Sequence, residues 1–292
     1  MFNKKNYFSK ENILNLLISL IPLSLIIGNL AVNLNIVLIC FLGAAIYKFQ
    51  LFSLEKKTYQ YLILIFFSYL IIITLFKNLP NLNENVLYKE HIIKSILFLR
   101  YLVLFLVIFK TIEAKKFNVK LFFISSSLFV SVLAIDIVIQ VLLGINLSGN
   151  QLDQRFTGFF GEEEVAGAYL QKFSLFFIFL ISILFESRKK RYFYMFLSFV
   201  FFLIIILYTG NRMPIFLYML SICFYFVLER KFKLLLFSFL ILVSVFTIFA
   251  KNNESFKNNF YSFYGNAKQI IIVTPKLFYN NTYDQEVNFG SG

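Results

Sequence analysis

The sequence predicts an all-α protein, a polytopic bundle of transmembrane helices. Of its 292 residues, 59% are hydrophobic and only 15% are charged, which leaves too little polar sequence to cover a soluble globule of this length. The mean hydropathy is +0.76, and the apolar residues form long runs. Charged residues are gathered in the short segments between these runs. This distribution excludes nucleic-acid binding, which would need a basic face on a soluble domain.

Nine apolar runs are long enough, or nearly long enough, to cross a hydrocarbon core, which takes about 20 helical residues. We expect the spans at 13–31, 36–52, 59–76, 92–109, 121–143, 165–185, 192–208, 213–228 and 232–250. Pro22 interrupts the first span. Pro214 suits the first turn of the eighth, where a missing N–H costs no helical hydrogen bond. Residues 1–250 are therefore expected to form one transmembrane domain.

The distribution of basic residues orients these spans. With the N-terminus in the cytoplasm, alternate loops place 17 of the 28 Lys and Arg residues inside, but only 5 of the 15 Asp and Glu residues. Lysine and arginine are retained on the cytoplasmic side of membranes, so this orientation is favoured over its opposite. It puts the loop 144–164, the turn 209–212 and the tail 251–292 outside. Cys40 and Cys223 fall within apolar runs and predict neither a disulfide framework nor a metal site.

Three charged residues lie deep inside predicted spans, several residues from either end, where a charge is costly and therefore points to a function. At about 1.5 Å per residue, Arg100, Asp136 and Lys172 each lie roughly 10–12 Å below the outer boundary. Arg100 and Asp136 are expected to face each other as an ion pair. The pair either only fixes helix packing or belongs to an outward-open cavity.

Other polar residues favour the cavity. Gln140 lies one helical turn from Asp136. Glu164 lies on the helical face that carries Lys172, so polar groups are expected to line more than one helix. Lys172 itself either lines the cavity or extends its ammonium group toward the outer headgroups.

The external loop 144–164 carries the strongest binding pattern. It is longer than a connector needs, and it ends in a glycine-punctuated turn that opens a helix, where free backbone N–H groups can bind an anion. Arg155 adds a guanidinium that can hold a phosphate through two parallel hydrogen bonds. Glu162, Glu163 and Glu164 follow, and carboxylates in a first helical turn also complement the helix dipole.

A second external feature is the tight turn that ends at Arg212. An arginine at the end of a span often anchors the helix at the interface. Arg155 and Arg212 lie on the same predicted side, and each is beside a Thr-Gly pair, which indicates a shared anionic ligand instead. The remaining alternative is that Glu162 and Glu164 pair with the two arginines, although exposed pairs contribute little.

Together these residues resemble the O-antigen ligase family, multi-span bacterial membrane enzymes that include lipopolysaccharide O-antigen ligases and polysaccharide polymerases. The resemblance covers residues 100–292 and is sharpest at 136–140, 155–170 and 209–212. It implies a GT-C-like glycosyl transfer, without metal or cofactor, on the periplasmic face of the bacterial inner membrane. The implied donor is an undecaprenyl-diphosphate-linked glycan, and the acceptor is lipid A-core or a growing glycan. Arg155 and Arg212 match external arginines that the family is expected to use to hold the donor diphosphate.

Two departures from the family pattern shape the prediction. The family is expected to use a histidine of its large periplasmic loop as the catalytic base. The only histidine here is His91, at the outer end of the fourth predicted span, where it is interpreted as an interfacial residue. Nine spans are also fewer than the family usually has. We therefore expect a truncated product without the catalytic centre, in which 251–292 begin a periplasmic segment and the catalytic residues are unknown.

Two other classes of function remain open on the sequence. A transporter or flippase of an anionic lipid-linked glycan would need the same arginines. A non-catalytic membrane partner of an assembly complex is the third prediction. Product formation from a lipid-linked donor separates the enzyme from both.

Overall fold

The computed structural model describes residues 9–53, 58–78, 86–149, 156–161 and 163–230, with scattered helical positions between 236 and 251. Within that part of the chain every regular element is helical, which confirms the predicted all-α class. The helices are α1 (Lys10–Ser19), α2 (Ile21–Ile27), α3 (Asn29–Tyr47), α4 (Thr58–Asn78), α5 (Val86–Glu113), α6 (Val119–Leu143), α7 (Ala166–Leu184), α8 (Arg188–Tyr208) and α9 (Arg212–Leu228). Short 3₁₀ turns lie at Lys48–Phe52 and Gly158–Phe160.

The chain divides into two compact units, Met1–Tyr218 and Met219–Gly292. The first contains α1 to α8 and the beginning of α9. Of the second, the structure describes the rest of α9 and the scattered helical positions that follow. All candidate site residues that the structure describes belong to the first unit.

Five of the described helical segments are long and apolar enough to cross a membrane. They are Asn29–Leu51, Glu90–Glu113, Val119–Leu143, Ala166–Leu184 and Arg188–Tyr208. Helices α1 and α2, bent by 47° at their junction, make a sixth if they form one span. Tyr61–Lys77 and Arg212–Leu228 are apolar but shorter, and the predicted span 232–250 falls largely outside the described residues. By length and composition this is a multi-pass membrane protein, while the count of nine spans and the orientation stay predictions.

The predicted first span, 13–31, is not one continuous helix. Pro22 has no N–H to give to the carbonyl four residues earlier, and the helix breaks at Leu20. A second interruption follows at Gly28, whose φ of 119° is open to glycine and rarely adopted by other residues. Residues 29–31 therefore belong to α3 rather than to the first span.

Side chains of neighbouring helices satisfy carbonyls around this break. Asn35 of α3 donates to the carbonyl of Leu17 at 3.2 Å, and Tyr169 of α7 donates to the carbonyl of Pro22 at 3.0 Å. Ser125 of α6 donates to the last carbonyl of α1. An unpaired carbonyl in hydrocarbon costs several kcal/mol, so these donors explain how an interrupted helix is accommodated inside the bundle.

Helix packing divides the first unit into two groups of neighbours. Helix α6 packs against α1, α2, α7 and α8, whereas α5 packs mainly against α3 and α4. Buried apolar side chains of α1, α3 and α5 form a shared core, which includes Leu14, Ile39, Leu106 and Val107. The loop 144–164 joins α6 to α7, so it lies at one end of the α6 group.

Candidate functional site

Polar side chains near the end of α6 form hydrogen bonds with the backbone of the loop that follows. Asp136 is fully buried, and its Oδ1 accepts a hydrogen bond from the N–H of Leu147 at 2.7 Å. One helical turn later, Gln140 accepts a hydrogen bond at Oε1 from the N–H of Gly158 at 3.0 Å. Asn146 donates from Nδ2 to the carbonyl of Gly158 at 2.7 Å. Two polar side chains of α6 therefore bind both the beginning and the later part of the loop.

This arrangement differs from the predicted outward-open cavity around Asp136 and Gln140. Asp136 is 0% exposed and Gln140 is 2% exposed, and both side chains are closed off by the loop whose N–H groups they bind. Their polarity supports the loop rather than a solvent-filled space. Sequence reasoning missed Asn146, because an asparagine shortly after a helix has no pattern that separates a structural hydrogen bond from ordinary loop composition.

The backbone of the loop approaches α6 closely at Gly158. Its φ of 57° lies in the left-handed region. A Cβ at this position would lie 2.9 Å from Oδ2 of Asp136 and 2.9 Å from Cδ1 of Leu133. The hydroxyl of Thr157 donates to the carbonyl of Gly161, which closes the turn. The Thr157-Gly158 pair, interpreted from the sequence as a place for an anion, therefore seats the loop on α6.

The predicted ion pair between Arg100 and Asp136 does not form. The Arg100 guanidinium lies 5.0 Å from the centre of the Tyr101 ring, and its Nη2 donates to the Tyr101 hydroxyl at 3.4 Å. Asp136 instead binds the loop backbone through Leu147. Similar depth along two helices motivated the pair, but depth does not determine which helices are neighbours, and α5 packs mainly against α3 and α4.

Because the two side chains do not meet, we expect substitutions at Arg100 and Asp136 to act independently. The losses in free energy of unfolding for Arg100→Ala and Asp136→Ala should add, within about 0.5 kcal/mol, to that of the double variant. Unfolding of the detergent-solubilised chain by heat or denaturant measures all three. A coupling energy of about 3 kcal/mol would instead show a buried ion pair.

The turn 209–211, the second feature predicted to be external, lies against the start of α7. Asn211 donates from Nδ2 to the carbonyl of Glu164 at 2.7 Å. Gly167 permits this approach, because a Cβ there would lie 2.6 Å from Oγ1 of Thr209 and 3.1 Å from the Asn211 side chain. Both loops are thus joined at the N-terminal end of α7.

Two aromatic side chains, one near each of the predicted site arginines, contact each other. The ring of Phe156 lies 5.9 Å from the ring of Tyr208, edge to face at 87°. Phe156 directly follows Arg155, and Tyr208 precedes Arg212 by four residues, across the turn between α8 and α9. Arg212 is half-buried at the start of α9, whereas Arg155 and Glu162 lie outside the described residues. The convergence of the two arginines on one ligand therefore stays a prediction.

Lys172 lines a cavity of about 240 Å³ beside the junction of α2 and α3. Phe160 and Tyr169 contribute aromatic walls, and Glu163 is the acidic residue among the described residues that line it. The sequence predicts Glu164 on the same helical face as Lys172, and its backbone carbonyl accepts the hydrogen bond from Asn211.

The fold and this site define an all-α, multi-pass membrane protein with two loops joined at one end of the bundle. Among the described residues, no group of three or more His, Cys, Asp or Glu side chains is placed to hold a metal ion. No family model, no curated protein and no solved structure matches the chain. The resemblance to the O-antigen ligase family accordingly stays a prediction from the sequence.

Proposed function

We propose that the chain belongs to a membrane glycosyltransferase of the O-antigen ligase or polysaccharide polymerase type in the bacterial inner membrane. It would transfer an undecaprenyl-diphosphate-linked glycan to lipid A-core or to a growing glycan on the periplasmic face. The observation that supports this most is the junction of the two loops. The contact of Phe156 with Tyr208 and the hydrogen bond from Asn211 to Glu164 join the flanks of Arg155 and Arg212.

The two arginines would supply the electrostatic part of catalysis. Transfer breaks the bond between the anomeric carbon and the diphosphate oxygen, and it forms a bond to the acceptor hydroxyl oxygen. Guanidinium groups stabilise the negative charge that develops on the departing diphosphate. The acceptor proton passes to a base, a role to which we assign no residue of this chain. The seating of the loop on Asp136 and Gln140 would hold the donor site in a fixed geometry.

This function requires both loops to face the periplasm. The proposed topology has nine spans, with the N-terminus in the cytoplasm and the tail 251–292 outside. It rests on the excess of basic residues in the predicted cytoplasmic loops. Both the loop 144–164 and the turn 209–212 then lie on the donor's side of the membrane.

Conservative replacement of the arginines tests the donor site. A lysine keeps the charge but loses the planar fork that binds a phosphate through two hydrogen bonds. We expect Arg155→Lys and Arg212→Lys each to weaken binding of undecaprenyl diphosphate to the purified chain by about tenfold, with folded yield unchanged. Ligand-induced thermal stabilisation measures the binding, and turnover of a glycan-linked donor measures the activity.

Arg188→Lys is the matched control, because Arg188 begins α8 at the opposite end of that helix from Tyr208. It should leave donor binding unchanged. Wild-type binding in both Arg155→Lys and Arg212→Lys would contradict the diphosphate site. An equal loss in Arg188→Lys would show that the effect is not local.

The break between α1 and α2 favours a second candidate function, translocation of the lipid-linked glycan. Helices that are interrupted within the membrane, so that backbone carbonyls at the break bind other groups, are typical of transporters. The two functions differ in their product. In proteoliposomes a transferase consumes the donor and glycosylates an acceptor, whereas a transporter moves the intact donor to the other leaflet.

A further inference from the structure

A second cavity, of about 710 Å³, lies between α4 and α5, and the described residues that line it all belong to these two helices. Its volume falls within the usual range of ligand cavities, about 300–1,000 Å³. We call it the α4–α5 groove. None of the described residues that line it belongs to the loops of the proposed donor site, so a ligand bound here would be separate from glycan transfer.

The character of the lining changes along the helices. Lys77, His91 and Lys94 stand at one end of the groove, while Phe67 and Phe98 are part of the apolar remainder. From Phe67 to Lys77 the distance along α4 is about 15 Å, at 1.5 Å per residue. The groove is therefore basic at one end and apolar along its length.

Hydroxyl groups separate the two ends. Thr74 and Ser95 line the groove, and each donates to a carbonyl of its own helix, at 2.8 Å in both cases. Hydroxyls engaged in this way add little to the polarity of the wall. A small soluble anion would contact only the basic end and gain nothing from the apolar wall beyond it. An amphiphile with a charged head and a hydrocarbon chain fits both parts.

The lysines at the basic end are not neutralised by strong ion pairs, so they can attract an anion. Lys94 is paired with Glu90 at 3.3 Å, but both side chains are mostly exposed, at 69% and 51%, so this pair holds Lys94 weakly. Lys77 has no ion pair among the described residues. In the proposed orientation Lys77 lies outside and Lys94 lies at the outer end of its span, on the side where lysine is normally depleted, so an anionic partner accounts for their presence.

We infer that the α4–α5 groove binds one anionic phospholipid of the membrane. Its phosphate lies among Lys77, His91 and Lys94, and one acyl chain runs along Phe67 and Phe98. The groove is open to lipid, since Phe98 is 41% exposed. A phospholipid can thus enter from the bilayer without crossing water.

The absence of tryptophan from the sequence makes this site measurable, because one introduced Trp is the only one in the protein. Phe67→Trp places the reporter in the groove. Phe66→Trp is the matched control: it lies at almost the same depth on α4, is 53% exposed and does not line the groove. The full chain is reconstituted in phosphatidylcholine vesicles that contain brominated phosphatidylglycerol or brominated phosphatidylcholine, whose bromines quench tryptophan fluorescence.

We expect brominated phosphatidylglycerol to quench Phe67→Trp at a mole fraction about fivefold lower than brominated phosphatidylcholine does. Phe66→Trp should be quenched equally by both lipids. In the Phe67→Trp background, Lys77→Gln with Lys94→Gln should abolish the preference, whereas Lys189→Gln with Lys190→Gln on α8 should retain it. High salt should also reduce the preference when the lysines are present, since it screens the same attraction.

Three results would overturn the inference. The first is equal quenching of Phe67→Trp by the two lipids. The second is an equal preference in Phe66→Trp, which would describe the general lipid shell of the protein. The third is a preference that survives the loss of Lys77 and Lys94. All three are independent of glycan transfer, so they leave the proposed function to its own test.

Discussion

Replacing Gly158 with alanine is expected to lower the free energy of unfolding by about 2–5 kcal/mol. Two costs add. The φ of 57° costs a residue with a Cβ about 1–2 kcal/mol. The new Cβ would also lie 2.9 Å from Oδ2 of Asp136 and 3.1 Å from Cγ1 of Ile137, and overpacking of this kind costs about 1–3 kcal/mol. The loop would then leave its seat on α6.

Gly149→Ala is the matched control in the same loop. Its φ of 81° carries the same backbone cost, but a Cβ there would meet no described residue within 4 Å. We expect it to lose only about 1–2 kcal/mol. Thermal or denaturant unfolding of the detergent-solubilised chain measures both variants. Equal losses would contradict the close contact of Gly158 with α6. If the loop forms the donor site, Gly158→Ala should also weaken binding of undecaprenyl diphosphate.

Much of the helical architecture could be predicted from the sequence, because hydropathy and helix breakers act locally. The predicted span 121–143 corresponds to α6, and 192–208 lies within α8. Pro22 correctly marked an interruption. The 47° bend and the side chains that satisfy the carbonyls beside it could not be predicted, because Asn35 and Tyr169 come from helices distant in sequence.

The candidate site shows the same division between local and distant information. A buried aspartate in an apolar span indicated that position 136 matters, and the Thr-Gly pairs indicated where the backbone turns closely. The prediction that Asp136 pairs with Arg100 was wrong, because the sequence indicates the depth of Arg100 but not which helices are neighbours of α5. The true partner is the backbone N–H of Leu147, a group that every residue but proline has. Sequence patterns therefore found the residues but not what they bind.

The crossing of α3 and α5 is expected to give the second large effect. A Cβ added at Gly43 would overlap Cγ2 of Val107 and lie 2.5 Å from its Cγ1 and 2.9 Å from its Cβ. Val107 is fully buried, so its side chain cannot turn out to the surface to make room. Small residues allow this kind of close helix approach in membrane bundles. Gly43→Ala should lower the free energy of unfolding by about 1–3 kcal/mol, even though alanine favours a helix over glycine by about 1 kcal/mol.

A compensating substitution tests this contact directly. Val107→Ala alone leaves a cavity and should cost about 2 kcal/mol. In the Gly43→Ala background it removes the two methyl groups that the new Cβ would strike. The double variant should therefore be more stable than the sum of the single losses predicts, by at least about 1 kcal/mol. Val130→Ala, at an equally buried valine of α6, is the control and should simply add to Gly43→Ala. Simple additivity for Val107 as well would show that α3 and α5 do not approach closely at Gly43.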